Sequence, residues 1–576
     1  MTTPGATELT VVIPTMGRWE ILEQTLGGLE AQTATGFEVI VVSDGAGPPP
    51  RQLMGLGETH FVTQTAAGPA AARNRGVGES TRSLILFLGD DMVPAADLVS
   101  IHVTTHGQHP DPQVAVLGRV EWHPEVAGNR LNRWLEDSGT QFDYANMDQE
   151  KGVVGDEAYD PGFGRLYSSN LSLKRSLFDS VGGFDESFIF YYEDLELGWR
   201  LSEKGLRIVY RPEALARHLH AYDWVGLEDR FRGIALGEKL LGTMRPDFHP
   251  FFQQRIMAAG PPASSWGYRA ERLIGPGSAW AAAHAPPSRP GLAAKLRDRA
   301  DTAYHRCLAG PFLEAWSTAD EMCELRDYLG TEFRPELLIH HKEELEREAD
   351  AATDELSFYR TSQSYLYDLT AFAMSPTKQP YLAELSRLVS PGARILDYGC
   401  GIGSDGLRLA NLGYQVSFAD FDNPSTRFLR WRLERRGLSS RVYDIDTDDI
   451  PTDFDTVFCF DVIEHVPDPS AFLSRLESLG DVVIVNFLEP DPRDTHLHRD
   501  LDIGALVARA ERHGLLYYRI HHGRSHLVAY RSSGSGSLWT SRAVRWRGQV
   551  LHGHSRVNRT ARSAKFGSPR RRPVSS

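Results

Sequence analysis

The stretches LTVVIP (residues 9–14), FEVIVV (residues 37–42) and LILFL (residues 84–88) decide the fold of the first part of the chain. Each is a short, continuous apolar run, which is typical of a parallel strand buried on both faces of a sheet. The segments between them, at residues 19–31 and 70–79, have the composition of helices. Because strands and helices alternate, the sequence predicts an α/β fold.

A second alternating series begins at residue 393, with the stretches ARILDYGCG, YQVSFADFD, DTVFCFDVIEH and DVVIVNFLE. Between the two series, residues 260–291 are rich in Pro, Gly and Ala, which favours a connector or a surface excursion. The following stretch is rich in Ala, Leu, Glu and Arg and predicts helices. The sequence therefore predicts four segments: an α/β domain at 1–259, a connector with a helical region at 260–356, a second α/β domain at 357–531, and a basic, disordered tail at 532–576.

Composition excludes several classes of protein. The chain has 576 residues, 41% of them hydrophobic and 24% charged, as expected for a globular protein. The net charge of -14 argues against general binding to nucleic acid, because phosphate contacts need basic surface. Four cysteines without a CxxC pattern fit a reducing compartment.

The ends of the sequence bear on localisation. The N-terminus lacks the features of a secretory signal, and no apolar run approaches the ~20 residues of a spanning helix, so we expect a cytoplasmic protein. Residues 531–576 hold ten Arg, one Lys and no Asp or Glu, a charge of +11. This tail fits either a disordered solubilising segment or a weak peripheral contact with anionic lipid at the inner face of the membrane, with Trp539 and Trp546 at headgroup level.

Polar motifs follow the strands of the first series in a fixed order. VVIPTMGR (residues 11–18) is followed by VVSDG (41–45), GPAAARNRG (68–76) and FLGDDMVP (87–94). A longer block from 170 to 220 contains VGGFDE and YYEDLELGWRLSEKG. Because ligands collect at the open ends of parallel strands, we expect these motifs to build one site.

The acidic residues of these motifs suit transfer chemistry on a sugar diphosphate. Asp44, after the second strand, is placed to accept hydrogen bonds from a nucleobase or ribose. Asp90 and Asp91 follow LILFL, where a carboxylate pair can hold the cation that neutralises a diphosphate. Glu193 and Asp194 open a predicted helix and supply a candidate general base for an acceptor hydroxyl.

This ordered set resembles the family 2 glycosyltransferases with the GT-A fold, over residues 9–250. The resemblance implies an inverting transfer from a nucleotide-sugar donor. It implies that Asp194, next to Glu193, is the catalytic base and that Asp91 and His218 hold Mn²⁺ or Mg²⁺. The implied donor-binding residues are Thr15, Arg18, Asp44, Arg73 and Asp90. One position departs from the family pattern, since Gly89 stands where the first of three Asp is usual. This departure bears on how far Asp90 takes part in the site and on the affinity of the site for the metal.

A glycine-rich turn opens the second series. RILDYGCGIGSDGLRLANLG (residues 394–413) predicts a strand, a turn and a helix, and Asp420 ends the next strand at a position suited to a ribose diol. By itself the turn fits any nucleotide or dinucleotide site. A phosphate-binding P-loop is excluded, because no GK[ST] follows the glycines.

The surrounding motifs, LDYGCG and YDIDTDDIPTDFDTVFCFDVIEHVPDP, resemble the class I S-adenosylmethionine-dependent methyltransferases, over residues 365–531. The resemblance implies a Rossmann-like fold. It implies that the methionine end of the cofactor lies at Asp397, Gly399, Gly401 and Gly403, the ribose at Asp420 and the adenine near Asp446. Glu464 and His465 then lie at the substrate mouth, and His465, His496 and His498 are candidate bases. The aromatic segment at 358–374 fits either a lid over the cofactor or an ordinary core helix.

The sequence therefore predicts an enzyme with two activities. One half adds a sugar to a saccharide, a lipid-linked glycan or a small-molecule acceptor, and the other half methylates the glycan or a related acceptor. Two alternatives stay open at this point. In one, a single domain is catalytic and the other is a binding module; in the other, the two domains act on unrelated substrates.

Overall fold

The structure is a computed structural model that describes residues 5–55, 59–155, 159–262, 265–285, 290–491, 495–534 and 537–565. The chain divides into two compact units, one of Met1–Arg326 with Thr331–Ile339 and the other of Asp327–Gly330 with His340–Ser576. The sequence predicted a separate connector at 260–356. Most of that segment instead joins the first unit, because its helices bury apolar faces there.

The first unit is built on an eight-stranded mixed sheet with the order β3-β2-β1-β4-β7-β6-β8-β5. Its strands are β1 Leu9–Thr15, β2 Glu38–Asp44, β3 Thr59–Gln64, β4 Leu84–Leu88, β5 Met92–Pro94, β6 Val114–Trp122, β7 Asn170–Lys174 and β8 Arg207–His218. The three apolar stretches that decide the fold form β1, β2 and β4, which pair in parallel as predicted. Every residue of β4 is buried, as expected for a strand covered on both faces.

Helices cover both faces of this sheet and extend to residue 339. They are α1 Trp19–Glu30, α2 Pro69–Glu79, α3 Leu98–Gln108, α4 Arg130–Asp137, α5 Tyr144–Val154, α6 Arg175–Asp179, α7 Glu193–Ser202, α8 Trp224–Met244, α9 Phe251–Ala258, α10 Ser265–Ala283, α11 Pro290–Thr318, α12 Asp320–Leu329 and α13 Glu336–Ile339. The Pro/Gly-rich stretch is therefore largely helical. Arg306 of α11 forms an ion pair with Glu271 of α10 at 2.6 Å, and Tyr268 of α10 donates a hydrogen bond to Glu228 of α8.

The second unit is built on a seven-stranded sheet with the order β11-β10-β9-β12-β13-β15-β14. Its strands are β9 Arg394–Tyr398, β10 Gln415–Asp420, β11 Val442–Asp444, β12 Phe454–Cys459, β13 Gly480–Leu488, β14 Leu515–His521 and β15 Ser525–Arg531. The first five strands of this order pair in parallel, and β15 is antiparallel to both of its neighbours. This is the Rossmann-like arrangement that the sequence predicted.

The helices of the second unit are α14 His341–Ala351, α15 Glu355–Thr361, α16 Ser364–Met374, α17 Gln379–Leu388, α18 Ser404–Asn411, α19 Pro424–Arg435, α20 Pro469–Glu477, α21 Ile503–His513 and α22 Leu538–Lys565. Residues 538–565 thus form a helix where the sequence predicted a disordered tail. Three residues on one face, Ser541, Val544 and Gly548, turn toward the sheet. The Ser541 hydroxyl accepts a hydrogen bond from the Leu515 amide at 3.1 Å. Residues 566–576 of the predicted tail lie outside the described residues.

None of the helices in the described part of the chain combines the length and the apolar character needed to cross a membrane.

Two candidate active sites

The first candidate site lies where β1 and β4 end. These strands are parallel neighbours, so the residues that follow them meet at one edge of the sheet. The Thr15 hydroxyl donates to the Asp90 carboxylate at 2.7 Å, and Arg18 forms an ion pair with the same carboxylate. Three of the predicted donor-binding residues therefore form one network.

Asp91 extends this network toward two histidines. Arg18 Nη1 donates to Asp91 Oδ2 at 2.7 Å, and His218 Nε2 lies 3.2 Å from the same oxygen. His218 is brought there because β5 pairs with β8, with Met92 opposite His218. His220 Nδ1 lies 3.7 Å from Asp91 Oδ2, so Asp91, His218 and His220 form a group that could hold a metal ion.

The pKa values of the two neighbouring aspartates shift in opposite directions. Burial and the charge of Asp91 raise the pKa of Asp90. Burial alone would raise the pKa of Asp91 too, but His218 and Arg18 outweigh it and hold that pKa well below its usual range. Burial lowers the pKa of His220 to about 4, so its ring is neutral and can offer a lone pair.

This donor set fits a divalent cation. One carboxylate and two imidazoles suit Mn²⁺ better than Mg²⁺, which prefers oxygen ligands alone. Gly89, the departure from the family pattern, lies beside Asp91. A Cβ at Gly89 would approach Asp91 Oδ1 to 3.1 Å and Met92 Cγ to 3.0 Å. The absence of a side chain there leaves room for the Asp91 carboxylate.

The predicted catalytic pair begins α7. Tyr192, the residue before it, has a left-handed φ of 79°, and its hydroxyl donates to Glu238 of α8 at 2.7 Å. The Ser168 amide donates to Asp194 Oδ2 at 3.0 Å. Asp194 Oδ1 is buried and makes no hydrogen bond. That oxygen is therefore available to accept a proton from a ligand.

Arg73, a predicted nucleoside contact, forms an ion pair with the other member of the catalytic pair. Its Nη1 donates to Glu193 Oε1 at 3.0 Å, with both side chains largely buried. Burial and the neighbouring Asp194 raise the pKa of Glu193 to about 7, although Arg73 opposes this. Arg73 therefore holds Glu193, the residue that precedes Asp194 in α7.

The Asp44 carboxylate is hydrogen-bonded to the segment that runs from the end of β3 to the start of α2. Its carboxylate accepts hydrogen bonds from the Ala67 amide at 2.8 Å, the Gly68 amide at 2.9 Å and the Gln64 side chain at 2.9 Å. These contacts fix the turn that leads into α2. A nucleoside contact by Asp44 would use the acceptor capacity that remains.

The second candidate site surrounds the glycine-rich turn after β9. Gly399, Gly401 and Gly403 all have positive φ, with values of 73°, 52° and 72°. The Gly401 amide donates to Asp420 Oδ2 at 2.7 Å, and the Gly406 amide donates to Asp397 Oδ2 at 3.1 Å. Burial raises the pKa of Asp420 to about 6. The structure thus brings together the residues predicted for the methionine end and the ribose.

Two other predicted residues of this half lie at the surface, each next to an ionisable residue. Asp446 is exposed and forms an ion pair with Arg360 at 2.6 Å. His496 lies at the surface, 3.4 Å from Asp350. Lys378, which the sequence analysis missed, pairs with Asp405 at 3.2 Å beside the glycine-rich turn. No sequence pattern distinguishes this lysine from others.

A cavity of about 1250 Å³, counting the part open to solvent, lies next to the cofactor turn. Tyr365, Leu369 and Phe372 of α16 line it, whereas Leu366 and Thr370 of the same helix are buried in the core. The aromatic segment before β9 therefore serves both as a core helix and as a wall of the cavity. Packing in the core is therefore confirmed for one face of α16, and the lid over the cofactor stays a prediction.

His465 also lines this cavity, with Glu464 and His498. Its Nδ1 lies 2.8 Å from the Tyr359 hydroxyl. Burial, and to a lesser extent His498, lowers the pKa of His465 to about 3. An imidazole with such a low pKa is a weak base, so the surroundings of His465 fit a neutral ligand better than a proton acceptor.

The sequence analysis missed one member of these clusters and one grouping. His220 is not among the predicted metal ligands, although the HLH pattern at the end of β8 brings it close to His218. The grouping of Glu464 with both His465 and His498 was missed as well. The signal for it is a second HxH pattern at residues 496–498, which is far from Glu464 in sequence.

Comparison with known proteins assigns each half to a family of domains. The family model described as glycosyl transferase family 2 matches residues 10–168, and a methyltransferase domain model matches residues 396–479. A validoxylamine A glucosyltransferase from Streptomyces hygroscopicus subsp. jinggangensis is 31% identical over 249 residues, covering 37% of this chain and 56% of that protein. A ubiquinone biosynthesis O-methyltransferase from Xanthomonas euvesicatoria is 34% identical over 111 residues, covering 19% of this chain and 46% of that protein.

The chain thus spans about half the length of the curated relatives it matches. Among solved structures, a mannosyltransferase from Pyrobaculum calidifontis aligns with a TM-score of 0.32 and 16% identity, over 66% of this chain and 89% of the other. The two domain matches fall on the two sheets that carry the candidate sites. The chain contains a family 2 glycosyltransferase domain of the GT-A type, followed by a Rossmann-like methyltransferase domain.

Proposed function

We propose that the protein is a bifunctional enzyme that transfers a sugar from a nucleotide-sugar donor and methylates the glycosylated product with S-adenosylmethionine. The observation that carries the first activity is Asp194 Oδ1, a buried carboxylate oxygen with no hydrogen-bond partner in the first turn of α7. The observation that supports the second is the Gly401 amide bound to Asp420 inside a turn of three left-handed glycines.

Sugar transfer proceeds by one direct displacement. Asp194 Oδ1 accepts the proton of the acceptor hydroxyl as its oxygen attacks the anomeric carbon. The bond from that carbon to the diphosphate oxygen breaks on the opposite face, so the anomeric configuration inverts. Asp91, His218 and His220 would hold a divalent cation, which would supply positive charge for the leaving diphosphate. Arg18 stands beside the same carboxylates and contributes further positive charge.

The acceptor binds in a pocket that adjoins the metal cluster. The pocket has a volume of about 470 Å³, counting open solvent, and is lined by Trp122, Phe142, Tyr144 and His218. The Trp122 ring stacks on His218 with centroids 4.9 Å apart. Aromatic faces beside polar groups suit the apolar and hydroxyl-bearing faces of a sugar ring. We therefore propose a saccharide or another small hydroxylated acceptor.

Methyl transfer takes place in the cavity next to the cofactor turn. After the acceptor hydroxyl loses its proton to solvent water, its oxygen would form a bond to the methyl carbon of S-adenosylmethionine while the carbon–sulfur bond breaks and the electron pair stays on sulfur. This step depends mainly on alignment of the two reactants. Oxygen is the proposed methyl acceptor because the curated relative of this half is an O-methyltransferase.

We propose a cytoplasmic location, since the four cysteines form no disulfide, as expected in a reducing compartment. Contact of the basic C-terminal segment with anionic lipid stays a prediction from the sequence.

The test is a coupled assay on the full-length chain. Nucleotide sugars are screened with Mn²⁺ and small saccharide acceptors, and S-adenosylmethionine is then added to the glycosylated product and, separately, to the unglycosylated acceptor. We expect mass spectrometry to detect sugar addition first and methyl addition only on the glycosylated product. Methylation of the bare acceptor at an equal rate would contradict the link between the two activities.

A further inference from the structure

The methyltransferase half contains a cluster that its cofactor does not need. Glu464, His465 and His498 each offer one ligand atom, and these atoms lie within 4.8 Å of one another. We propose that these three residues form a second divalent-cation site, which binds an oxygen of the methyl acceptor. Only the role of the cation rests on the proposed methyl transfer; its binding does not.

The first argument is the state of the Glu464 side chain. Glu464 is 1% exposed, and neither of its carboxylate oxygens has a hydrogen-bond partner. Burying a polar group without a hydrogen-bond partner destabilises the folded protein, and a charged carboxylate does so more strongly. A buried carboxylate is normally retained when it is paired or when it coordinates a metal.

The second argument is how the backbone brings the ligands together. Glu464 and His465 belong to a short 3-10 helix, Ile463–His465, directly after β12. The Arg499 amide donates to the Glu464 carbonyl at 2.7 Å, which ties the segment that carries His498 to this helix. The rings of His465 and His498 stand almost perpendicular with centroids 4.7 Å apart. The cluster therefore does not depend on the chance position of long, flexible side chains.

The third argument is the orientation of His465. The Tyr359 hydroxyl lies 2.8 Å from Nδ1, an arrangement in which an outer partner fixes the ring of a metal-binding histidine. Two imidazoles and one carboxylate form the donor set of catalytic zinc sites and of sites for Mn²⁺ or Fe²⁺. Such sites leave coordination positions open, and this cluster faces the cavity of about 1250 Å³.

The bound cation gives the cavity a way to activate a hydroxyl. A divalent cation lowers the pKa of an oxygen that it binds, so the acceptor can lose its proton to solvent water before it attacks the methyl group. The new O–CH₃ bond then replaces the S–CH₃ bond of the cofactor. In this route His465 ligates the cation, so the histidine does not have to take the proton. The chemical class of acceptor is a molecule with a hydroxyl that can ligate the metal.

The experiment measures Mn²⁺ binding to the full-length chain by isothermal titration and electron paramagnetic resonance. An Asp91→Asn background removes a carboxylate ligand from the cluster of the other half. We expect this background to bind one Mn²⁺, and the added Glu464→Gln or His498→Gln change to weaken that binding by at least about 100-fold. The matched control is Glu346→Gln, which lines the same cavity outside the cluster and should leave binding unchanged.

Retained S-adenosylmethionine affinity and an unchanged melting temperature show that each variant is folded. The proposal is overturned if the background binds no Mn²⁺, or if Glu464→Gln binds it as tightly as the background. If Mn²⁺ binds as expected but no methyl transfer is found, the cation site stands and the proposed methyl transfer fails. If methyl transfer runs at full rate in Glu464→Gln without metal, the role of the cation fails.

Discussion

The two halves of the molecule carry clusters of the same composition, two histidines and one carboxylate, in opposite electrostatic states. In the glycosyltransferase half, Asp91 is bonded to Arg18 and His218, which hold its pKa well below the usual range against the effect of burial. In the methyltransferase half, burial and the nearby Asp461 raise the pKa of Glu464 to about 8. The same ligand types therefore do not imply the same charge.

Arg18 accounts for part of this difference, after His218. Arg18 brings a permanent positive charge to Asp90 and Asp91, so that cluster is largely compensated before any ligand arrives. Glu464 has no hydrogen-bonded partner of that kind. We infer that the first cluster is built to balance the charge of a diphosphate and the second to receive a cation from solution. The predictions below test this contrast, and the independence of the two halves, from the largest expected effect to the smallest.

The largest effect is expected at the catalytic pair. Asp194→Asn keeps the shape of the side chain but cannot accept a proton, so the rate of sugar transfer should fall by ~10²–10⁴-fold. Donor binding, measured by titration, should stay within a few-fold, since the amide still accepts the Ser168 hydrogen bond. Methyl transfer to an acceptor that is supplied already glycosylated should be unchanged.

The matched control for that change is Glu203→Gln, an exposed residue that follows the same helix and pairs with Arg245. It should leave sugar transfer unaffected. If Asp194→Asn keeps more than about a tenth of the wild-type rate, Asp194 is not the base.

The second prediction concerns the methyltransferase half and a substitution in its cofactor turn. Gly401 has φ 52°, and a Cβ there would lie 2.8 Å from Leu369 Cδ1, in a turn whose amide already binds the Asp420 carboxylate. Gly401→Asp adds a clash and a second negative charge. We expect the affinity for S-adenosylmethionine, measured by titration, to fall by at least about 100-fold, which corresponds to about 2.7 kcal/mol.

A control with the same charge change is Gly413→Asp, also at positive φ but with open space around the added side chain. It should bind the cofactor normally. Sugar transfer should survive in both variants; its loss in Gly401→Asp would mean that the two halves do not act independently.

Much of this architecture could be predicted from the sequence, because it rests on local patterns. The continuous apolar runs gave β1, β2 and β4, and the glycine spacing gave the cofactor turn. The partners of charged side chains could not be predicted. Arg73 and Glu193 are 120 residues apart, and nothing in either motif indicates that they pair. Pairings of this kind are set by how the elements pack.

The third prediction concerns the cluster of Asp91, His218 and His220. Asp91→Asn removes the negative charge that binds Arg18 and His218, so a divalent cation should lose one of its three ligands. We expect Mn²⁺ to stimulate sugar transfer at least about 10-fold less than in the wild type. Donor titration with and without Mn²⁺ measures the change. An unchanged metal dependence would show that the donor charge is balanced by Arg18 rather than by a cation at Asp91.

The smallest effect is expected at α22, which the sequence predicted to be disordered. A Cβ at Gly548 would overlap the carbonyl oxygen of Tyr518 in β14, and a backbone atom of a strand that is paired in the sheet cannot move away cheaply. Gly548→Ala should therefore destabilise the second unit by ~1–3 kcal/mol, with a fall in melting temperature of roughly 2–4 °C per kcal/mol. Calorimetry of the full-length chain measures this.

The control is Gly310→Ala in α11 of the first unit, where no atom lies within 4 Å of the added Cβ. Alanine is a better helix former than glycine by roughly 0.5–1 kcal/mol, so this change should leave the first unit as stable or slightly more stable. The two substitutions are chemically identical and differ only in whether the helix packs against a backbone. A Gly548→Ala protein that melts like the wild type would mean that α22 does not pack on β14, and the basic C-terminal segment would then be the free tail that its composition suggested.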